Sequence, residues 1–275
     1  THKLKLSKVK MKLMRYKDDN DNKIKFCSYG NENFEIKGNI FSKYELSSKK
    51  ANISKVLAPI EPPSILCIGL NYKKHAVEGN QKIPEYPVVF MKLANSIQHH
   101  QDPIIIPQFL KSEAVDYECE LAVVIGKECK NATKSNALEY VLGYTCANDV
   151  SARDWQLFKG GSQWCRGKTF DTFCPIGPVI TLKDEIINPN NLKIKTILND
   201  EVMQDWNTND MIFDVPSLIE FLSGSTTLVP GTIILTGTPH GVGFARDPKV
   251  LLKENDSISI EIEKIGTLTN PVKNE

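Results

Sequence analysis

The sequence has no apolar run approaching the ~20 residues that a membrane-spanning helix needs, and no secretory apolar core near its start. It has almost no net charge. The 34 basic and 33 acidic residues leave +1, which argues against nucleic acid or an acidic membrane surface as the main partner. Its seven cysteines, at 27, 67, 119, 129, 146, 165 and 174, are odd in number and include no C-x-x-C pair. That pattern indicates neither a disulfide framework nor a zinc site, and points to a reducing compartment. A nucleotide-binding loop is missing too. Gly167-Lys168-Thr169 invites that reading, but the motif requires a glycine at 162, where Ser162 stands.

What is there suits a chain of 275 residues that can bury a substantial core, as one large or two small domains. Residues 1–17 carry Lys3, Lys5, Lys8, Lys10, Lys12, Arg15 and Lys17 without one acid. This is either the remnant of an organelle leader, or an extension ahead of a natural start at Met11. Between 11 and 63, short alternating runs around the Asp18-Asp19-Asn20-Asp21-Asn22 turn cluster predict a small β-rich module. The cluster Pro59, Pro62 and Pro63 predicts a linker to a second unit, 64–275.

The second unit is organised around Val115-Asp116-Tyr117-Glu118-Cys119-Glu120-Leu121-Ala122-Val123-Val124-Ile125-Gly126. Side chains alternate across a strand, so Glu118 and Glu120 leave one face and Tyr117, Cys119 and Leu121 the other. Two like charges in such apolar company are costly unless a proton, a cationic side chain or a metal compensates, and a hard divalent ion suits carboxylates alone. The alternative is a solvated edge face.

Three further stretches carry chemistry. In Asn148-Asp149-Val150-Ser151-Ala152-Arg153-Asp154-Trp155-Gln156, a strand is predicted to end at Asp149 and a helical turn to begin near Ser151. Asp149 is then either a third oxygen ligand or an N-cap; Arg153 and Gln156 project from one side, and Asp154 serves structure. In Asn71-Tyr72-Lys73-Lys74-His75-Ala76-Val77-Glu78, His75 and Glu78 are three apart on a helix, so the carboxylate can orient the imidazole as a general base. The alternative is a surface ion pair; the nearby Gly79, Pro84 and Pro87 would suit a closing lid. Gly237-Thr238-Pro239-His240-Gly241-Val242-Gly243 can bring amides and the Thr238 hydroxyl to an anionic oxygen, or be a plain turn. Strand patterns at 65–69, 88–92, 103–107, 140–146, 179–182, 192–198, 201–204, 232–236, 257–263 and 267–272 with one long helix at 217–222 predict a β-rich α+β fold.

In order, Gly69-Leu70-Asn71-Tyr72-x-x-His75, Asp116-Tyr117-Glu118-x-Glu120-Leu121, Asn148-Asp149-x-Ser151-Ala152-Arg153-Asp154, Gly167-Lys168-Thr169-Phe170 and Thr236-Gly237-Thr238-Pro239 resemble the fumarylacetoacetate hydrolase superfamily. The resemblance spans 65–272. Asp154-Trp155-Gln156 and Phe170-Asp171-Thr172-Phe173-Cys174-Pro175 look most like its second-type branch and bacterial relatives. It implies a mixed β-roll, usually a homodimer, with Glu118, Glu120 and Asp149 binding Mg²⁺ (Mn²⁺ or Ca²⁺ as alternatives). It further implies Lys168, Arg153, Gln156 and Thr238 around the substrate's oxygens, and His75 with Glu78 as the lid dyad of hydrolytic members. Two departures stand out: Thr232 replaces an aspartate usual after Pro-Gly, and Asp200 a turn glycine.

A divalent ion held by three carboxylates keeps positions at which a 2-oxo acid can chelate, which stabilises an enolate; Lys168 and Arg153 add positive charge there. By resemblance, the leading expectation is oxaloacetate keto-enol tautomerisation. Hydrolysis of acylpyruvates or fumarylpyruvate, or oxaloacetate decarboxylation, is the alternative, and a non-catalytic metal-binding scaffold the remaining one. The expected setting is soluble and intracellular: the mitochondrial matrix in a eukaryote, otherwise the cytoplasm.

Overall fold

A computed structural model describes residues 11–275; the basic residues at 3–10, and with them the question of leader or extension, lie outside it. Twelve strands form one large sheet. Along its main path run Tyr44–Lys50, Phe34–Gly38, Ile24–Tyr29, Lys12–Asp18, Cys174–Leu182, Val141–Asn148, Cys119–Ile125, Ile233–Leu235, Ile65–Gly69 and Val88–Lys92. Most neighbours are antiparallel, but Ile233–Leu235 runs parallel to Ile65–Gly69, so the sheet is mixed. A second sheet of five strands carries Glu201–Asn207, Lys193–Leu198, Ser257–Ile262, Gly266–Asn274 and Ile104–Ile106. This is the β-rich α+β roll that the resemblance implies, with the 217–222 helix pattern realised as Val215–Ser223, capped by the Asp214 carboxylate on the Ser217 amide.

The central strand Cys119–Ile125 is buried on both faces and flanked by Val141–Asn148 and Ile233–Leu235, which rules out a solvated edge. Its odd residues Cys119, Leu121, Val123 and Ile125 pack with Ile194, Ile260 and Leu268 of the second sheet and with Leu218 and Leu222 of the long helix. Its even residues Ala122 and Val124 pack on the other side, against Cys67, Ile65, Ile176 and Ile180. Leu13, Ile36, Ala58 and Ile60 of the N-terminal segment join this second cluster, and Lys12–Asp18 pairs directly with Cys174–Leu182. Each face of one strand thus anchors a separate core, and Glu120 shares the even face.

The run 115–126 is not one strand. Val115–Asp116 pairs with Ser151–Ala152, while the large-sheet strand starts at Cys119. The ladder breaks because side chains take over the backbone amides: the Asp116 carboxylate accepts from Tyr117 N at 2.9 Å and the Asn148 side-chain oxygen from Glu118 N at 3.1 Å. The pairing of Ser151–Ala152 also moves the expected helical turn onward. A short π-type helix spans Trp155–Lys159, with Asp154 accepting from Trp155 N.

Both departures from the family pattern are structural. Asn199 and Asp200 sit in the left-handed region, at φ 49° and 69°, as a two-residue hairpin turn requires, which explains why glycine is at home there. Buried Thr232 lies 3.1 Å from the Ser64 hydroxyl.

Asn71 ties three segments together. Its amide donates to Thr236 O at 2.7 Å and Phe213 O at 3.0 Å, and its oxygen accepts from Phe213 N at 2.8 Å. Asn71→Ala leaves the buried Thr236 carbonyl and two half-buried Phe213 backbone groups short of a partner and should cost about 2 kcal/mol. Denaturant unfolding checks this; a loss within measurement error would show that these segments hold without it.

Candidate metal centre and active site

Six stretches distant in sequence meet at a cavity of about 350 Å³. Of the residues singled out in the sequence, His75, Glu78, Glu118, Glu120, Arg153, Gln156, Lys168 and Thr238 line it, and Asp149 lies buried behind them. One carboxylate oxygen from each of Glu118, Glu120 and Asp149 falls within 4.8 Å of the others. All three acids are buried, and the break after Asp116 together with the end of Val141–Asn148 brings them together.

Charge compensation within the cluster is uneven. Glu118 takes the Arg153 guanidinium at 2.7 Å and the Lys168 ammonium at 2.9 Å. Asp149 takes Lys168 at 2.8 Å and, on its other oxygen, Lys92. Burial opposes ionisation of Glu118, but Lys168 and Arg153 outweigh it and hold the carboxyl well below the usual range. Burial would likewise discharge Lys168, yet Asp149 and Glu118 hold its ammonium up to about 12. Among the described residues no cation pairs with Glu120. It accepts a hydrogen bond from Gly237 N at 2.7 Å, and burial with the neighbouring charges of Asp149 and Glu118 outweighs the field of Lys168 and pushes its proton affinity well up.

That orphan tests whether a metal fits. A carboxylate 1% exposed, beside two other acids and without a counter-ion, is costly as it stands. Around the centre, Asp116, Glu118, Glu120 and Asp149 face Lys92, Arg153 and Lys168, an excess of one negative charge. Three carboxylates with no sulfur or imidazole among them form a donor set for a hard divalent cation, so Glu118, Glu120 and Asp149 could hold a metal.

The side chains around the cavity are oriented from behind. Arg153 gives two N–H groups to Asp116 and the others at Nη1 to Gln156 Oε1 and Glu118, which engages four of its five N–H groups. Because Gln156 accepts from Arg153 through Oε1, its NH₂ group is left to donate. Asp116 also accepts from Gly243 N and Phe244 N, so one buried carboxylate fixes both Arg153 and the loop beyond Thr238. Gly237 needs its lack of a side chain: at φ 94°, a Cβ would lie 2.7 Å from Asn71 Cβ. Gly69 is equally constrained, since a Cβ there would meet the Trp164 ring at 2.3 Å, and Trp164 walls the cavity.

His75 and Glu78 lie on the short helix Lys73–Glu78, with His75 Nδ1 at 2.9 Å from Glu78 Oε2. The other Glu78 oxygen accepts from Gly241 N at 2.8 Å. Burial would raise the Glu78 carboxyl, but His75 and that amide hold it below its ordinary value. The two side chains are 19% and 20% exposed, so the pair sits at the cavity mouth and is tied to the Thr238 loop, unlike a free surface ion pair.

Sequence reasoning missed Lys92, Asp116 as a site residue, and Gln204. Lys92 ends an apolar run, Val-Val-Phe-Met-Lys, and a lysine closing that run, on the same side as buried Phe90, was the available signal. Nothing local marks Gln204.

The fumarylacetoacetate (FAA) hydrolase C-terminal family model matches residues 64–273. A Dictyostelium discoideum fumarylacetoacetate hydrolase domain-containing protein 2 homolog is 53% identical over 228 residues, 80% of this chain and 74% of that protein. Xenopus laevis mitochondrial oxaloacetate tautomerase fahd2 is 50% identical over 224 residues, covering 81% of this chain and 69% of the relative. A fumarylacetoacetate hydrolase from Exiguobacterium antarcticum superposes with a TM-score of 0.86 at 33% identity, over 96% of this chain and all of its own. On matched length, sequence identity and shared fold, this chain belongs to the fumarylacetoacetate hydrolase family.

Proposed function

We propose that this chain is a divalent-metal-dependent enzyme that interconverts the keto and enol forms of oxaloacetate. The observation that carries the reading is the buried triad with its unpaired Glu120, set against a small cavity whose wall also holds Arg153, Gln156, Lys168 and Thr238. The names of the second-type relatives, oxaloacetate tautomerases at about half identity, supply the substrate. The division into an N-terminal module, 1–63, and a catalytic unit, 64–275, is part of the reading and is supported by the start of the family match at residue 64.

In this reading Glu118, Glu120 and Asp149 hold Mg²⁺, with Mn²⁺ or Ca²⁺ as substitutes. A bound divalent ion supplies a Lewis acid that polarises the keto oxygen and acidifies the neighbouring carbon. With such an ion held by the three acids, the centre would carry net positive charge, which suits a dicarboxylic acid. The chain's own groups do the rest. Lys168, kept protonated by its two acid partners, presents positive charge where the oxyanion develops and does not serve as the base. Gln156 and Thr238 donate to substrate oxygens, and Arg153 steadies Glu118 and Gln156. His75, oriented by Glu78, is the proton-transfer group nearest the mouth.

That dyad also supports a second reading, hydrolysis of acylpyruvates, because a base tied to the loop over the cavity can activate water against a distant carbonyl. The mitochondrial names of the animal relatives support a location in the mitochondrial matrix. A homodimer is supported by the apolar edge strand Val88–Lys92, where Val88, Val89 and Met91 are exposed beside Leu93.

The reading predicts loss of enol-oxaloacetate, followed in the ultraviolet with Mg²⁺ and blocked by a chelator, at higher kcat/KM than acetylpyruvate cleavage; the opposite ranking would favour the hydrolase. His75→Ala should depress acetylpyruvate cleavage at least tenfold more than tautomerisation, at about the 10²-fold scale of a lost general base. Equal losses would contradict the division of roles. Glu120→Gln should unfold no earlier than the natural protein in chelator. It should also lose the rise in Tm of roughly 5–10 °C that metal at a hundredfold excess over Kd gives. An unchanged metal-induced rise in this variant would remove Glu120 from the metal site.

A further inference from the structure

Gln204 lies on the strand Glu201–Asn207 of the second sheet and is 1% exposed. It is absent from the cavity wall, and no step of the proposed reaction uses it. Its amide nevertheless joins four segments. Oε1 accepts from Cys119 N at 3.0 Å and from the Thr196 hydroxyl at 2.8 Å. Nε2 donates to Pro239 O at 2.8 Å and to the Thr238 hydroxyl oxygen at 2.9 Å.

The orientation of this amide is determined by its partners. A backbone N–H can only donate and a backbone carbonyl can only accept, so Cys119 N fixes the oxygen end and Pro239 O the nitrogen end. Flipping the amide would set N–H against N–H and oxygen against oxygen in a buried place, at a cost no neighbour offsets. The hydrogen bond between Gln204 and Thr238 therefore has one polarity: the amide donates and the hydroxyl accepts. The proton on Thr238 is excluded from the Gln204 side, which leaves it to the cavity that Thr238 lines or to the Cys119 sulfur beside it.

We infer that Gln204 is a positioning residue that sets the Thr238 hydroxyl as a donor toward an acceptor oxygen of the substrate. Arg153 does the same to Gln156, so two polar side chains of the wall that could turn either way are held donor-outward. Beside the Lys168 ammonium, these donors favour an anion rich in acceptor oxygens, such as a 2-oxo dicarboxylate, over an alcohol or an amine. The inference rests on reading the cavity as an oxo-acid site.

Replacing the amide by a carboxylate of the same shape reverses the polarity. In Gln204→Glu, the group facing Thr238 becomes an acceptor and draws the hydroxyl proton inward, while the other oxygen still serves Cys119 N. Gln204→Met removes the amide without adding charge. The test is a double-mutant cycle with Thr238→Val, read by calorimetric binding of oxalate to the Mg²⁺-loaded protein, with Tm in chelator recorded for each variant.

Gln204→Glu and Thr238→Val should each weaken oxalate about tenfold, the scale of one lost hydrogen bond to a charged group, and the double variant should bind no more weakly than Thr238→Val. Gln204→Met should show a smaller loss that also vanishes beside Thr238→Val. Thr238→Ser, which keeps the hydroxyl, should retain both the affinity and the sensitivity to Gln204→Glu. Multiplying losses, near a hundredfold in the double variant, would show that Gln204 acts through charge or general structure and would overturn the inference, as would natural affinity in Gln204→Glu. A natural protein that binds oxalate without turning over enol-oxaloacetate overturns the substrate assignment alone, since the cycle still reads the coupling. One that binds no oxalate overturns both.

Discussion

A buried carboxylate without a counter-ion is the constraint on which this structure turns. Glu118 and Asp149 share Lys168, and Arg153 and Lys92 close their outer sides, but among the described residues no cation pairs with Glu120. A protein core tolerates such an arrangement where it serves a ligand, since replacement by apolar groups would relieve it. Glu118, Asp149 and their three cations therefore behave as one unit, in which removing a member leaves a partner's charge less compensated, while Glu120 stands outside that pairing. The surrounding fold can be understood as the means of holding that unit rigid.

Rigidity comes from the strand Cys119–Ile125. One face anchors the core against the second sheet and the other the core shared with the N-terminal segment, so its register is fixed from both sides. The break at Tyr117 and Glu118, made by Asp116 and Asn148 side chains, then lets Glu118 approach Asp149 and Arg153 without disturbing the ladder. Asp116 links that break to Arg153 and the Gly243 amide, while Glu78 links the short helix of His75 to Gly241. The two sides of the cavity mouth are thereby coupled through one loop. The proposed substrate contacts and the proposed base are joined by a single ring of hydrogen bonds, which favours a preorganised site over one assembled on binding.

Much of this was legible in the sequence because the chemistry is local there. Period-two alternation places Glu118 and Glu120 together, and i,i+3 spacing places His75 with Glu78 and Arg153 with Gln156; all three pairings recur in the structure. The fold came from resemblance of ordered motifs, not from periodicity, which could not order twelve strands. What stayed hidden depends on tertiary pairing. A continuous strand over 115–126 was the natural expectation, and only the competition of side chains for backbone amides interrupts it. Lys92 and Gln204 reach from their strands to Asp149 and Thr238 just past the ends of others, at separations of 57 and 34 residues that no spacing rule covers. The start of the helix after Asp149 shifted for the same reason, since Ser151 and Ala152 pair with a strand more than thirty residues earlier.

The central claim is that Glu118, Glu120 and Asp149 meet at one divalent cation. Anomalous diffraction from crystals grown with Mn²⁺ measures this most directly. The account predicts a single strong peak at this cavity, ligated by a carboxylate oxygen from each of the three acids. A peak that leaves Glu120 unligated, or no peak there at a Mn²⁺ concentration that saturates activity, would contradict it.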